Sequence, residues 1–466
     1  MNGWRGLFQG GKGSGAGFLV LIAAIAVGMV SARNYAGSWY DGSRLATVES
    51  LVDYRTLAID RSIYVQVPSG GDPTIPGPYP RADPDLFPHG TGDKLFIRGH
   101  FYSDKSPVPA LLMAAMYQAL QWGTGLKARE HPDRFYYWMT VGSSGLSYVV
   151  AVWCVFLTGQ VLGVPLAYRL LLTASFGLST VALTYTRHVN NHILLLGVAG
   201  PLFLGLARVA EEIRSGQASQ LRVFGLGMLS GLGYSFDLGS GPILLMCTLA
   251  LVAYRSRSFM AVAMFVLAAS PWLAIHHAVN YAIGGTFRPA NSVPAYLTWP
   301  GSPFTAEIMT GPWNHPSPGH FVIYAAALLF GRRGFFGHNL PLFLTLPGLV
   351  AIRHRRPFEL PEILGGLGWF AGTWLVYAVA STNYSGLAAS IRWFVPLLVP
   401  AYFLLAVVLR DHPQYRRDFL ILSAWGAVLA GLMWWKGPWM KRMVPFFWPL
   451  QAAALLTWIL SRVPQG

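Results

Sequence analysis

An acidic residue near the N-terminus stands where acid–base chemistry at a membrane surface could occur. Asp41 lies in the run SWYDGSR (residues 38–44), directly after the first long apolar stretch. A carboxylate in this position can remove the proton of a hydroxyl acceptor, as a general base does. It can equally act as the N-cap of a helix, because Asp accepts hydrogen bonds from free backbone N–H groups. The local sequence leaves both roles open.

A second group of chemically capable residues precedes the next apolar stretch. The segment GHFYSDKSPVP (residues 99–109) brings Asp104 and Lys105 to the start of a predicted helix. A helix N-terminus favours anions, and a lysine beside it adds a compact positive charge suited to a phosphate. Asp104 could pair with Lys105, bind a metal ion or orient a substrate. The alternative is a solvated Asp104–Lys105 pair that only anchors the helix.

Other polar residues lie at the ends of later apolar stretches. The run YTRHVNNH (residues 185–192) offers Arg187 and His192 as contacts to an acceptor or a phosphate, although an ordinary polar turn explains it as well. Asp237 ends an apolar stretch, where ionisable residues are costly and often functional, but a helix end near water also accounts for it. Guanidinium groups bind phosphate in a bidentate manner. The arginines predicted on the outer face are Arg332, Arg333 and Arg392.

Composition defines the environment in which these residues must work. Of the 466 residues, 53% are hydrophobic and 11% are charged, whereas a soluble domain has about a quarter charged residues. Apolar stretches long enough to cross a membrane recur from residue 16 to residue 461, so we predict a single transmembrane domain over residues 1–466. The net charge of +15 falls mainly in short links between these stretches, which favours membrane topology over nucleic-acid binding as its explanation. Cys154 and Cys247 lie inside apolar stretches and are interpreted as packing residues.

The distribution of charge predicts an all-α polytopic protein with about 12 transmembrane helices and both termini in the cytoplasm. If residues 107–126 lie along the outer membrane surface instead of crossing it, the later basic clusters fall inside. Residues 33–134 then form a first external loop with two juxtamembrane helices, and residues 277–337 form a second external loop with an interfacial or re-entrant segment at 320–334. The predicted spans are residues 16–32, 135–157, 168–185, 191–208, 222–236, 240–254, 259–276, 338–352, 362–380, 393–409, 418–435 and 443–461.

Two of these segments resemble a known family. The run YDGSRLA after the first span and the run TGDKLFIRGHFYSDKSP before the juxtamembrane apolar stretch are similar to segments of the protein O-mannosyltransferases and lipid A aminoarabinose transferases. The resemblance is strongest over residues 34–126, and it continues more weakly later in the chain. It implies the GT-C membrane glycosyltransferase fold, a polyprenyl-phosphate sugar donor, and transfer with inversion to a hydroxyl on the external face.

The resemblance also implies roles for individual residues. Asp41 matches the catalytic carboxylate, Asp104 the second acid and Lys105 the lysine that contacts the donor phosphate. Gly42 replaces a second acid and Ser106 replaces a frequent proline, which puts metal binding by first-loop acids in doubt. The residues expected at the donor phosphate are Lys105, Arg332, Arg333 and Arg392. Those expected at other parts of the substrates are Arg44, His100, Tyr102, Asp104, Arg187 and His192.

The sequence therefore predicts an inverting hexosyl- or pentosyltransferase of a bacterial inner or plasma membrane, with its active site on the periplasmic or extracellular side. Its expected partners are the polyprenyl-phosphate sugar donor, a glycan, lipid or protein acceptor, and membrane lipids. A divalent cation is compatible with the acids, but no residue is assigned to it. A flippase or transporter of a lipid-linked glycan is the alternative, although no internal repeat typical of many transporters is evident.

Overall fold

A computed structural model describes residues 11–65, 90–216, 219–305, 311, 313–355, 357–386, 388–440 and 447–462. These residues are mostly helical, with one two-stranded sheet. The helices in chain order are α1 (Gly11–Ser31), α2 (Trp39–Asp53), α3 (Pro107–Thr124), α4 (Pro132–Thr140), α5 (Leu146–Val161), α6 (Leu166–Leu178), α7 (Ala182–Tyr185), α8 (Asn191–Arg214), α9 (Gln220–Phe236), α10 (Gly241–Ser256), α11 (Phe259–Gly284), α12 (Pro294–Leu297), α13 (Pro318–Phe330), α14 (Thr345–Arg355), α15 (Leu360–Val379), α16 (Leu398–Asp411), α17 (Arg416–Lys436) and α18 (Phe447–Leu460). The strands are β1 (Lys94–Ile97) and β2 (His100–Ser103).

Apolar helices dominate the described part of the chain. Six continuous helical runs are long and apolar enough to cross a membrane. These runs are Pro132–Val161, Asn191–Arg214, Phe259–Gly284, Leu360–Val379, Arg392–Asp411 and Pro413–Lys436. Six shorter apolar helices accompany them, and every predicted span overlaps a helix. The protein is therefore an integral membrane protein, as predicted, while the count of 12 spans stays a prediction.

Two predicted boundaries differ from the structure. Helix α11 continues to Gly284, beyond the predicted end of its span at residue 276. Residues 277–284 were expected in the second external loop, but they continue the helix, in which His276 and Asn280 are buried and bond to each other. The predicted span 168–185 is in fact α6 followed by the short α7, because α6 ends at Leu178 and Ser179 is its C-cap.

A small layer formed by α2, α3 and the β1–β2 hairpin packs over one end of the membrane helices, and we call it the external layer because it lies outside the helix bundle. Helix α3 begins with two prolines in its first turn and ends at Gly125, whose φ of 70° is the left-handed conformation common after a helix. Its apolar face packs against α2, and the two helices bury a shared cluster. The cluster includes Leu45, Val48, Val52, Ala110, Met113, Ala114 and Tyr117. The sequence predicted both helices, and their position along the membrane surface stays a prediction.

The sequence did not predict the antiparallel hairpin of β1 and β2. Its register places Lys94 opposite Ser103 and Ile97 opposite His100. The residues just outside its open end, Asp93 and Asp104, are thereby brought together across the hairpin.

The membrane helices share one large apolar core. Glycines allow close helix approach, as in many membrane proteins. A methyl group at Gly197 on α8 would lie 2.7 Å from the Cα of Ser147 on α5, so this contact requires glycine. Cys154 is buried on α5 and Cys247 is half-buried on α10, in agreement with their interpretation as packing residues.

Candidate active site

A cavity of about 480 Å³ lies where the external layer meets the ends of the membrane helices. Segments distant in sequence contribute to its wall: the start of α2, the end of the hairpin, the start of α8, the end of α9, and the segment before α16. The polar side chains along it include Tyr40, Arg44, Asp93, Asp104, Lys105, Asn191, His192, Asp237, His276, Asn280, Tyr377 and Arg392.

Lys105 lies between two carboxylates at one side of this cavity. Its Nζ is 2.7 Å from Asp93 Oδ2 and 2.8 Å from Asp104 Oδ2. Burial disfavours the ammonium group, but Asp104 and Asp93 outweigh burial and raise the pKa of Lys105 above its ordinary value. Lys105 is therefore charged, and its charge is already matched by two acids.

Three cations converge on the ring of Tyr40. Lys105 Nζ lies 4.5 Å from the ring centroid, and the guanidinium carbons of Arg392 and Arg44 lie 4.6 and 5.5 Å from it. Among the described residues, no carboxylate lies within 4 Å of Arg44 or Arg392. The Nε atoms of both arginines are buried without a hydrogen-bond partner. A buried N–H donor without an acceptor costs free energy, and a ligand that accepts its hydrogen bond would remove that cost.

A histidine–carboxylate pair lies on the same cavity. His192 Nδ1 is 2.8 Å from Asp237 Oδ2, and both side chains are buried. The His192 ring stacks near Tyr40, with 6.3 Å between the ring centroids and 19° between the planes. Tyr40 therefore contacts the cations and also lies beside the imidazole.

Asp41 is placed differently from the expectation. Its carboxylate is buried beneath α2 and is not part of the cavity wall. It accepts hydrogen bonds from Gly37 N at 2.8 Å, Ser38 N at 2.8 Å and the Tyr136 hydroxyl. Ser38, not Asp41, is the N-cap, and Asp41 reaches back to it from the third helical position, as in a capping box.

The electrostatics of Asp41 agree with this capping role. Burial opposes ionisation, but hydrogen bonds from His188, Ser38 and Tyr136 outweigh burial and hold the pKa of Asp41 below its usual value. Its catalytic role stays a prediction, and the acids on the cavity wall are Asp93, Asp104 and Asp237.

Several solved membrane-protein structures are similar to this fold. Apo ArnT from Cupriavidus metallidurans superposes with a TM-score of 0.50 at 11% identity, over 95% of this chain and 74% of that chain. The chain has a GT-C fold. ArnT bound to undecaprenyl phosphate gives 0.49 at 12% identity, over 95% and 75% of the two chains. The Archaeoglobus fulgidus oligosaccharyltransferase AglB, in complex with an inhibitory peptide and a dolichol-phosphate, gives 0.47 at 13% identity, over 96% and 58%. No family model matches the chain, and no curated protein matches it by sequence.

Within this GT-C fold, several residues expected at the site lie away from the cavity. Arg187 donates to the backbone carbonyls of Trp434 and Trp435, so it binds the end of α17. His100 is exposed and pairs with Asp60. Tyr102 packs in a small apolar cluster beside the hairpin.

Two of the arginines expected at the donor phosphate also lie elsewhere. Arg333 donates to the carbonyl of Gly386 at 2.6 Å, which ties α13 to the segment before α16. Arg332 is exposed, and neither side chain forms part of the cavity wall. The cavity brings together the other expected residues, which are Arg44, Asp104, Lys105, His192 and Arg392.

Sequence reasoning missed several residues of the wall. Tyr40 was part of the run with Asp41 but carried no expected role, although it shares a helical face with Arg44, four residues later. Asp93 lies in the run TGDKLF, and its pairing with Lys105 depends on the unpredicted hairpin. His276 was the last residue of a predicted span and carried no expected role, although it lies on the cavity wall.

The acids of the cavity do not form a metal-binding group. Within the described ranges, no group of three or more His, Cys, Asp or Glu residues is arranged to hold a metal ion. The ammonium of Lys105 occupies the space between Asp93 and Asp104 that a cation would take.

Proposed function

We propose that this protein transfers a sugar from a polyprenyl-phosphate donor to an acceptor hydroxyl, with inversion at the anomeric carbon. The observation that carries the proposal is the convergence of Arg44, Arg392 and Lys105 on Tyr40, in a cavity at the ends of membrane helices. An anionic group that also reaches the lipid bilayer fits such a place, and a polyprenyl phosphate has both properties.

The two arginines and the lysine take different parts in this proposal. Because Lys105 is already paired with Asp93 and Asp104, the unmatched positive charge belongs to Arg44 and Arg392. These guanidinium groups would contact the phosphate oxygens. Lys105 would lie beside them and add to the positive potential of the cavity. As the bond between sugar and phosphate breaks, charge grows on the phosphate, and fixed cations in a buried cavity stabilise that charge.

The partners and the side of action follow from the same arrangement. The cavity opens beneath the external layer that the charge pattern assigns to the non-cytoplasmic side. We therefore propose a donor delivered within the outer leaflet, and a glycan, lipid or protein acceptor arriving from the periplasmic or extracellular side.

The first experiment measures phosphate binding and sugar transfer separately. Purified protein in lipid vesicles is titrated with undecaprenyl phosphate, and transfer is followed from radiolabelled undecaprenyl-phosphate sugars to a membrane extract. Arg392→Gln removes one charge-assisted contact, which is worth about 1.5–3 kcal/mol, so we expect a loss of about 10- to 100-fold in affinity. Arg98→Gln is the matched control, because Arg98 is exposed in the hairpin turn.

Three outcomes decide the proposal. Binding and transfer that both weaken in Arg392→Gln but persist in Arg98→Gln support it. Equal binding in all three proteins would overturn the assignment of the phosphate site. Undecaprenyl phosphate that moves between leaflets, with no transfer from any donor, would identify a flippase instead.

A further inference from the structure

We propose that His192, oriented by Asp237, is the general base that takes the proton of the acceptor hydroxyl. The inference rests on the proposed glycosyltransfer and assigns a catalytic residue within it. A general base must lie on the cavity wall, have a free lone pair and be held in a fixed orientation. His192 meets these conditions through contacts that the structure shows.

The Asp237 carboxylate is itself held from several sides. Its Oδ1 accepts from the Tyr377 hydroxyl at 2.9 Å and from the backbone N–H of Gly239 at 2.9 Å. Its Oδ2 accepts from Asn191 Nδ2 at 3.3 Å and faces His192 Nδ1 at 2.8 Å. A carboxylate bound in this way is ionised and has a fixed position, so it can orient an imidazole ring.

The Asp237 contact selects the tautomer of His192. The His192 Nδ1–Asp237 Oδ2 contact of 2.8 Å is a close approach that is not aligned as a hydrogen bond. Because an ionised carboxylate attracts an N–H group and repels a lone pair, this approach favours the ring proton on Nδ1 and the lone pair on Nε2. No residue in the described part of the chain bonds to His192 Nε2, and His192 forms part of the cavity wall. Nε2 is therefore the nitrogen available to an acceptor.

The other candidate bases on or near the cavity are occupied. Asp93 and Asp104 both bind the ammonium of Lys105. Asp41 accepts hydrogen bonds beneath α2, outside the cavity wall. His276 has Ser106 Oγ 3.3 Å from Nδ1 and Asn280 Nδ2 3.2 Å from Nε2, so both of its ring nitrogens have neighbours.

The position of His192 also suits an inverting displacement. In such a reaction the acceptor attacks from the side opposite the leaving phosphate, so the base and the phosphate site must be separated by the sugar. Tyr40 contacts the three cations and stacks near the His192 ring. A sugar seated beside Tyr40 would have its phosphate at the cations and its reacting carbon within reach of an acceptor at His192.

The step balances without any further reagent. The acceptor oxygen forms a bond to the anomeric carbon while its proton passes to His192 Nε2. The bond between the anomeric carbon and the phosphate oxygen breaks, and its electron pair remains on the phosphate, which leaves as polyprenyl phosphate. The imidazolium then returns its proton to water.

Chemical rescue tests this role directly. His192→Ala is expected to lose about 10²- to 10⁴-fold in the rate of sugar transfer, the range for loss of a general base. Added imidazole should restore part of that rate in a concentration-dependent way, because it can enter the space left by the side chain. His192→Gln fills that space and should be equally slow but insensitive to imidazole. His320→Ala is the control, because His320 is exposed on α13, outside the cavity wall.

Binding of undecaprenyl phosphate separates this inference from the proposed function. Unchanged affinity in both His192 variants, together with slow transfer and imidazole rescue of His192→Ala, would support the base. Affinity that falls by the same factor as transfer would make His192 a phosphate ligand and overturn the inference. Transfer near the wild-type rate in His192→Gln would overturn it too, while the proposed function would stand. A wild-type protein without transfer would overturn both.

Discussion

At the scale of single residues, neighbours in the sequence can point into different environments. Successive residues of an α-helix are turned by about 100° around its axis, whereas residues four apart share a face. Tyr40 and Arg44 therefore point into the cavity together, while Asp41 points beneath α2 toward Tyr136 and His188. A motif identifies residue types, but the phase of the helix decides which of them reaches the cavity.

Replacement of Asp41 tests this interpretation. Asp41→Asn keeps one acceptor oxygen but loses the charge that His188 and the capping N–H groups contact, so we expect the free energy of unfolding to fall by about 1–3 kcal/mol. Transfer per folded molecule should stay near the wild-type rate. Chemical denaturation in detergent provides the measurement, and Asp133→Asn, at an exposed position in the first turn of α4, is the control. Lost transfer with unchanged unfolding would instead establish Asp41 as the base.

At the scale of elements, α2 carries a buried acid that has no cation partner within 4 Å among the described residues. Glu49 accepts from Ser62 Oγ at 2.6 Å and from the backbone N–H of Ile63 at 3.0 Å, which ties α2 to the loop after it. Burial raises the pKa of Glu49 to about 7, although these hydrogen bonds oppose the rise. The protonated form is therefore favoured in the folded protein only below about pH 7.

This raised pKa fixes the pH dependence of stability. The Glu49 contribution is fully present below the ordinary value of 4.5 and is lost as pH rises toward 7, because the unfolded chain ionises first. Glu49→Gln cannot ionise and should remove this dependence. The thermal midpoint of the variant minus that of wild type should therefore increase as pH rises from 4.5 to 7 and should stay constant above pH 7. Melting curves across this range, with the exposed Glu130→Gln as control, are the measurement. A constant difference at every pH would contradict the prediction.

The sequence predicted the helices far better than the site. Long apolar stretches placed most of the apolar helices within a few residues, apart from α6 and α11, and the prolines at 107 and 109 marked the start of α3. The hairpin was missed because its four-residue strands carry no long alternating pattern. The pairing of His192 with Asp237 joins the start of α8 to the end of α9, and no local pattern encodes such a contact between helices.

At the scale of the whole molecule, the two ends of the helix bundle differ in kind. The cavity lies at one end, beside Asp237 and the segment before α16. At the far ends of helices that border it, Arg255 pairs with Glu362, and Arg410 pairs with Glu359. Arg255 and Arg410 therefore lie at the end of the bundle opposite the cavity, which is the arrangement that the positive-inside pattern predicts if the cavity is non-cytoplasmic.

The location of the two native cysteines makes this orientation measurable in intact cells. Both thiols lie within apolar helices, where a bilayer shields them from charged, membrane-impermeant maleimides. Arg98 and Arg257 are matched labelling positions at opposite ends of the helix bundle. Both side chains are exposed, and both residues have similar positive φ angles, 53° and 48°. Arg98→Cys should be labelled in whole cells, and Arg257→Cys only after permeabilisation. The reverse labelling pattern would show that the cavity faces the cytoplasm. The wild-type chain thus already serves as a low-background template for site-directed thiol labelling.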